Sequence, residues 1–276
     1  MDNLTHSLVG ALLGQAGLKR KTPLAMPTLI IAANIPDIDA ACLFWLHGAE
    51  HLAFRRGITH GPLAMLVLPA ILWAAMLGWD KLRRRSDADR PALQRGWLLA
   101  LALIGTLSHP ALDWLNTYGV RLLEPFSSRW SYGDSIFIID IWLWIGLGGA
   151  LWVSLRAERR GTAKWPRPAA FALVAASSYI LANGVLTGLA EQRVAMMLGR
   201  QNIGNALVVA SPPPLAFWQR DVFWRTERLY GQMQFSSFAP HDRPAGAAPH
   251  RAADPRLAAI AATNAEVRAF LFWSRM

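Results

Sequence analysis

Long apolar segments alternate with short polar ones through the first two thirds of the chain. A helix needs about 20 residues to cross a hydrocarbon core of about 30 Å. The apolar segments of about this length are 62–79, 96–115, 136–155 and 168–189. Two earlier segments are less regular, because 4–18 is short and 23–46 is interrupted by Asn34 and Pro36. We interpret these two as a helical hairpin, partly re-entrant, so the pattern predicts about five to six membrane helices.

The pattern changes after residue 189. Three short runs, 206–210, 217–226 and 228–235, alternate apolar and polar residues and predict the strands of a small sheet. Asp254 followed by Pro255 predicts the start of a helix that runs to about residue 273, since proline is favoured at the first helical position. The predicted fold is an all-α polytopic membrane protein, residues 1–190, with a small C-terminal α+β extramembrane domain, residues 191–276.

Composition and charge support a membrane protein and suggest its orientation. Of 276 residues, 53% are hydrophobic and 17% are charged, where soluble domains average about 25% charged. The net charge of +10 arises largely from Lys and Arg in two short loops, 81–95 and 156–167, which two predicted helices separate. The positive-inside rule places both loops in the cytoplasm and the C-terminal domain outside, in a bacterial inner membrane. We therefore expect these loops to meet lipid head groups and not nucleic acid.

Polar clusters that interrupt the apolar segments contain residue types that bind metals. They are Thr5-His6-Ser7, Pro36-Asp37-Ile38-Asp39, Arg55-Arg56-Gly57-Ile58-Thr59-His60 and Ser108-His109-Pro110-Ala111-Leu112-Asp113. Ionisable side chains at membrane depth cost several kcal/mol, so they usually have a partner or a function. The predicted topology places all four clusters at the outer side of the membrane. His109 and Asp113 are four residues apart and share one helix face, while Pro36 should leave Asp37 and Asp39 on a short non-helical link.

These residue types predict a metal site. Imidazole and carboxylate ligands together suit Zn²⁺, with Mn²⁺ as the alternative. The predicted ligands are His6, Asp37, His60, His109 and Asp113. Asp39 or Asp140 is expected to act as a general base or to support the ligands, and Arg56 to neutralise a phosphate or a developing oxyanion.

Each cluster also has a purely structural explanation. His6 could follow a helix cap, Asp37 and Asp39 could terminate a helix, Thr59-His60 could form a helix-entry loop, and His109 could bond Asp113 within the membrane. Joint placement at one membrane face favours the metal site over four separate coincidences.

The same clusters resemble the YdjM/YfhP-type family of inner-membrane proteins, which are described as metal-dependent hydrolases. The resemblance covers about residues 1–145, and its further motifs are Asn34-Ile35-Pro36, Arg56-Gly57-Ile58, Asn116-Thr117-Tyr118-Gly119 and Pro125-Phe126-Ser127-Ser128-Arg129-Trp130. This chain has Arg55 where the family often has His, and Gly61 where it tends to have Ser. The resemblance implies a divalent metal and hydrolysis.

The predicted function is hydrolysis of an ester or phosphoester bond in a membrane lipid or another amphiphilic small molecule at the outer leaflet. Only the membrane depth of the ligands indicates a lipid. A transporter could use the same His and Asp residues as an ion or proton relay, but it would need polar residues in both halves of the membrane. A non-catalytic membrane scaffold, which would need no metal, is the third alternative.

Overall fold

The computed structural model describes residues 1–84, 91–238, 243–244, 248–249 and 254–275. Its α-helices are α1 Asn3–Gln15, α2 Ala25–Ala32, α3 His51–Phe54, α4 Pro62–Arg84, α5 Arg95–Trp114, α6 Ile141–Arg159, α7 Pro166–Arg200, α8 Pro255–Thr263 and α9 Ala265–Trp273. Short 3₁₀ helices cover Leu18–Arg20, Ile35–Phe44, Gly48–Glu50 and Ile58–His60. The strands are β1 Leu207–Ser211, β2 Gln219–Arg225, β3 Leu229–Ser236, β4 Arg243–Pro244 and β5 Ala248–Pro249. A mainly helical chain with a small C-terminal sheet agrees with the predicted fold class, while residues 85–90 of the first basic loop lie outside the described residues.

Fewer helices qualify as membrane spans than the sequence pattern predicted. Within the described residues, Ala64–Arg83 and Pro166–Arg200 are long and apolar enough to cross a membrane. Ala25–Ala32 and Ile35–Phe44 together form a third candidate, bent by 50°. The prediction of five to six spans is therefore too high. α5 and α6 do form over predicted segments, but their charged and other polar residues lower the mean hydropathy, and α1 is too short at 13 residues.

Helix α2 is held tightly between α1 and α5. A Cβ added at Gly10 of α1 would lie 2.7 Å from the carbonyl oxygen of Leu29, and one at Gly105 of α5 would lie 2.5 Å from the Cβ of Ala32. Because glycine has no side chain, these two positions let the helix backbones approach closely. On its other side α1 packs against α6 and α7, where Leu12 meets Leu147 in an apolar core. The end of α2 is therefore fixed relative to α5.

The segment with Asp37 and Asp39 is helical, contrary to the predicted non-helical link. The break is limited to Ala33 and Asn34, and the 3₁₀ helix Ile35–Phe44 follows. Pro36 fits because proline is tolerated in the first helical turn, where its missing N–H needs no partner. Both carboxylates are buried, on the side of this helix that faces the protein interior.

A small antiparallel sheet packs on the last turns of α7. The three predicted strands are confirmed as β1, β2 and β3, in that order, and β4 and β5 pair with β3. Val222 and Trp224 on the buried face of β2 meet Ala190 and Val194 of α7. Because α7 continues beyond residue 189 to Arg200, the predicted domain division at residue 190 lies inside this helix.

Arg220 of β2 fastens the sheet to α7. Its side chain is fully buried, and its Nε donates to Thr187 Oγ1 at 2.9 Å. Its Nη atoms donate to the carbonyls of Phe217, Gln219 and Asn183 and to Asn183 Oδ1. Burial lowers the pKa of Arg220 to about 10, so the guanidinium remains charged at neutral pH, stabilised by these oxygens.

The helix predicted from Asp254 is divided into α8 and α9. Asp254 caps α8 as expected, and Asn264 interrupts the helix because its side chain accepts a bond from Val267 N at 3.1 Å and caps α9. α9 packs against α3 and the 3₁₀ helix Gly48–Glu50. Beyond it, Arg275 donates to both carboxylate oxygens of Asp134 at 2.5 Å. The C-terminal end of the chain therefore lies against segments 47–54 and 116–134.

Candidate metal centre

Four buried side chains form a compact group of ligand atoms. Asp37, His60, His109 and Asp113 each offer one atom, and these atoms all lie within 4.8 Å of one another. They come from the 3₁₀ helix Ile35–Phe44, the 3₁₀ helix Ile58–His60 and α5. The structure thus brings together four of the five ligands predicted from the sequence. We call these four residues the ligand group.

The spacing of the ligand group fits one metal ion. The Nε2 atoms of His60 and His109 lie 3.2 and 3.5 Å from Asp113 Oδ2, and His109 Nε2 lies 3.8 Å from Asp37 Oδ1. Zinc ligands lie about 2.0–2.2 Å from the ion, so neighbours in a tetrahedron are roughly 3.3–3.6 Å apart. These three separations are close to those values.

Hydrogen bonds set both ligand histidines in the tautomer that a metal requires. His109 Nδ1 donates to the carbonyl oxygen of Ala33 at 2.6 Å. Thr59 Oγ1 gives its single hydrogen to Asp39 at 2.9 Å, so it accepts from His60 Nδ1, also at 2.9 Å. Each ring therefore presents an unprotonated Nε2 to the group. Burial lowers the pKa of His60, which keeps its imidazole neutral.

Three atoms of the ligand group lack a hydrogen-bond partner. They are His60 Nε2, His109 Nε2 and Asp113 Oδ2, all fully buried. Buried polar atoms in folded proteins almost always have partners. Two lone-pair nitrogens that converge on a carboxylate oxygen are what a cation site requires, so the ligand group could hold a metal ion.

His6 lies beside the ligand group instead of within it. Its ring stacks on His109 with centroids 3.8 Å apart, and its Nε2 lies 3.3 Å from Asp113 Oδ1. An ionised carboxylate only accepts hydrogen bonds, so this nitrogen carries the proton. The amino group of Met1 also contacts Asp113. His6 therefore orients Asp113, where the sequence predicted a ligand.

Arg56 is turned towards the protein and not towards an open site. Its backbone has a left-handed φ of 53°, and its N–H donates to Asp39 Oδ2 at 2.7 Å. Its guanidinium lies 3.1 Å from Asp113 Oδ2 and donates to Asn116 Oδ1 and to the carbonyl of Gly119 at 3.0 and 3.1 Å. In the structure Arg56 thus holds Asp113, where the sequence predicted that it neutralises a phosphate or a developing oxyanion.

Arg55 is the more accessible cation near the ligand group. Its side chain is 24% exposed and pairs with Asp37 Oδ1 at 3.2 Å and Asp39 Oδ1 at 3.7 Å. The sequence analysis placed this residue in the polar cluster with Arg56 and noted it as a departure from the family pattern, but gave it no role in the site. Its position one residue before Arg56 was the sequence signal that could have placed it near the site.

Asp140 does not join the ligand group. It caps α6 by accepting from the N–H groups of Trp142 and Leu143 at 3.0 Å, and it accepts from the Tyr179 hydroxyl at 3.0 Å. Among the described residues, no hydrogen bond or ion pair joins Asp140 to the ligand group. Asp140 is thus a helix cap, and of the two residues predicted for this role only Asp39 lies beside the ligand group.

Asn116 and Tyr118 are site residues to which the sequence assigned no role. Asn116 Oδ1 accepts from Arg56 and from Tyr118 N, at 3.0 and 2.8 Å. The Tyr118 ring lies against the Arg56 guanidinium, 4.4 Å from its centroid. Their place in the motif Asn116-Thr117-Tyr118-Gly119 was the signal that could have identified them.

Comparison with known protein families matches residues 1–190 to the family described as YdjM inner membrane protein. The matched part includes the whole ligand group and ends before the sheet. No curated protein and no solved structure matches the chain significantly. Because the match covers well over half of the sequence, the chain belongs to the YdjM inner membrane protein family.

Proposed function

We propose that the protein is a metal-dependent hydrolase that cleaves an ester or phosphoester bond of a membrane lipid or another amphiphile. The observation that carries the proposal is that the Nε2 atoms of His60 and His109, buried and without hydrogen bonds, converge on Asp113 Oδ2. In a purely structural cluster each Nε2 would donate to a carboxylate, but both rings donate through Nδ1 instead.

Two imidazole nitrogens and two carboxylate oxygens suit Zn²⁺, with Mn²⁺ as the alternative. When bound, the ion would polarise the scissile bond and make a neighbouring water more acidic. The absence of a cysteine ligand argues against a structural zinc site.

The chain's own residues supply the rest of the chemistry. His6 and Arg56 hold Asp113 in place from two sides. Asp39 would take a proton from the attacking water through Oδ1, which accepts no hydrogen bond, and return it to the leaving oxygen. Arg55, partly exposed beside Asp37 and Asp39, would face the negative charge that develops on the substrate.

The distribution of basic residues supports an outward-facing site in the inner membrane. Lys81 and Arg95 belong to one basic loop and Arg156 and Arg167 to the other, and such loops stay in the cytoplasm. The ligand group would then lie at the outer leaflet, with the C-terminal domain outside.

The interior of α1 disfavours the rival reading of a proton or ion transporter. A relay needs polar groups along the path, but the residues that α1 buries between His6 and Gln15 are Gly10, Ala11, Leu12 and Gly14. A scaffold without metal would leave the orphaned atoms of the ligand group unexplained.

A lipid screen tests the hydrolase directly. Purified protein loaded with Zn²⁺ or Mn²⁺ is given vesicles of phospholipids and lipid phosphates, with and without chelator. We expect chelator-sensitive turnover, lowered by Asp113→Asn more than about 100-fold, beyond the 10–100-fold typical of groups that only support ligands. Asp140→Asn is the matched control and should retain activity, because an amide oxygen can still cap α6. A metal-loaded protein without chelator-sensitive turnover on any lipid contradicts the proposal.

A further inference from the structure

The segments that supply the ligand group also expose large apolar side chains. Ile38, between Asp37 and Asp39, is 61% exposed, and Ile58, two residues before His60, is 65% exposed. In both 3₁₀ helices the carboxylate or imidazole faces inward and the isoleucine faces outward. Exposed apolar surface often marks a membrane or partner site. The outer faces of these two 3₁₀ helices are therefore suited to contact with hydrocarbon.

A cavity of about 210 Å³ opens between these segments. Its wall includes Asp39, Phe54, Ile58, Thr59, Arg121 and Glu124. Asp39 and Thr59 also belong to the surroundings of the ligand group, because Thr59 bonds both Asp39 and His60. Pockets that enclose a whole drug-sized ligand have volumes of about 300–1,000 Å³, and this cavity is smaller. The cavity would therefore hold one part of an amphiphile while the rest stays outside.

The far wall of the cavity is rigid and polar. Arg121 pairs with Glu124 at 2.8 Å and donates to the carbonyls of Ala53 and Phe54 at 2.8 and 3.0 Å. The Phe272 ring of α9 lies 5.3 Å from the Arg121 guanidinium. α9 lies beyond the part of the chain that matches the family, so this chain's own C-terminal segment supports the cavity wall.

The rim of the cavity lies where a membrane surface is expected. The 3₁₀ helix with Ile38 is part of one candidate span, and α4, a second candidate, begins at Pro62 shortly after Ile58. Leu123 and Phe126, on the loop after Arg121, are 58% and 74% exposed. Exposed apolar residues at the ends of membrane helices lie at the level where head groups meet hydrocarbon.

We infer that this cavity is a lateral entrance through which a lipid of the outer leaflet reaches the ligand group. The inference rests on the proposed function. The acyl chains remain in the bilayer against Ile38, Ile58 and Phe126. The polar head, with the scissile bond, enters the cavity beside Asp39.

Fluorescence quenching tests the entrance without any enzymatic readout. The sole cysteine, buried Cys42, is replaced by alanine, and Ile58→Cys or Ile38→Cys is labelled with an environment-sensitive fluorophore. The protein is reconstituted in phosphatidylcholine and phosphatidylglycerol vesicles. Phe171→Cys, exposed on the candidate span α7, is the membrane control, and Glu227→Cys, in the exposed turn between β2 and β3, is the water control.

We expect lipids with a spin label near the head group to quench the fluorescence of labels at both isoleucine positions. Aqueous iodide should quench the label at Glu227→Cys but not the labels at these two positions. Quenching by iodide as at Glu227→Cys, without quenching by spin-labelled lipid, overturns the entrance. The second isoleucine position decides the question if one variant fails to fold.

Measurement of turnover on two substrates is the second test of the entrance. Ile58→Asn should lower turnover of a vesicle-embedded lipid at least tenfold, with little effect on a short-chain soluble ester of the same head group. Equal loss on both substrates overturns the entrance, since a path from water would treat them alike. If the wild type turns over neither substrate, the proposed hydrolase fails, and quenching still decides whether the cavity opens to lipid.

Discussion

His109 and Asp113 lie one helical turn apart on α5, and His109 Nε2 is 3.5 Å from Asp113 Oδ2. The other nitrogen of His109 donates to the Ala33 carbonyl at the end of α2, at 2.6 Å. One ring thus joins two helices and offers a ligand atom. The geometry of the ligand group therefore depends on how closely α2 and α5 pack.

Gly105→Ala tests this dependence. The added Cβ would lie 2.5 Å from Ala32 Cβ and 3.0 Å from the Leu29 carbonyl, so α2 and α5 must separate. We expect a loss of about 1–3 kcal/mol in the free energy of unfolding and weaker metal binding. Gly96→Ala on the same helix is the control, because its Cβ would meet nothing within 4 Å. Competition titration with a chelating dye measures both affinities, and equal affinities would rule out the dependence.

His6→Ala should weaken metal binding without abolishing it. His6 orients Asp113 through Nε2, and loss of such a supporting group typically costs 10–100-fold in affinity. His109→Ala, which removes a ligand, should lower the affinity much further. If both changes abolish binding equally, His6 is a ligand after all and the assigned proton on its Nε2 is wrong.

Asp140→Ala should affect stability and leave metal content unchanged. The change removes the side-chain cap of α6, which typically costs about 0.5–2 kcal/mol. Asp140→Asn keeps the capping oxygen and should stay near wild type. Thermal unfolding in detergent measures the stability, and elemental analysis of the same samples measures the metal content. Loss of the metal in Asp140→Ala would show that Asp140 contributes to the metal site.

The basic loops predict the orientation of the chain. In a Cys42→Ala background, a membrane-impermeant maleimide applied to intact spheroplasts should label Glu227→Cys and spare Lys81→Cys until the membrane is opened. Short-loop Lys and Arg determine this orientation. The reverse labelling pattern would place the ligand group at the inner leaflet and remove the support for an outer-leaflet substrate.

The part of the site that follows from helix geometry was predictable. His109 and Asp113 share a face because they are four residues apart, and the topology of the basic loops placed Asp37 and His60 on the same side as these two. The role of His6 could not be predicted, because it depends on which oxygen of Asp113 its ring faces. For Asp140, the sequence did contain the signal of a cap, an Asp directly before an apolar run.

The fold was predictable to a similar extent. The strands and most helices follow from local periodicity, which is a property of short segments. The number of spans was overestimated because segment length was counted without the polar residues inside α5 and α6. The contact of α9 with Arg121 is tertiary and left no local pattern.

Metal content of the purified protein tests the central claim most directly. Wild type is compared with the double variant His60→Ala and His109→Ala, and with a control double variant, His47→Ala and His51→Ala, whose histidines lie outside the ligand group. After loading with Zn²⁺ and removal of free metal, we predict about one ion per chain in wild type and control and almost none in the first double variant. Equal metal in all three proteins, or none in wild type, would contradict the metal centre.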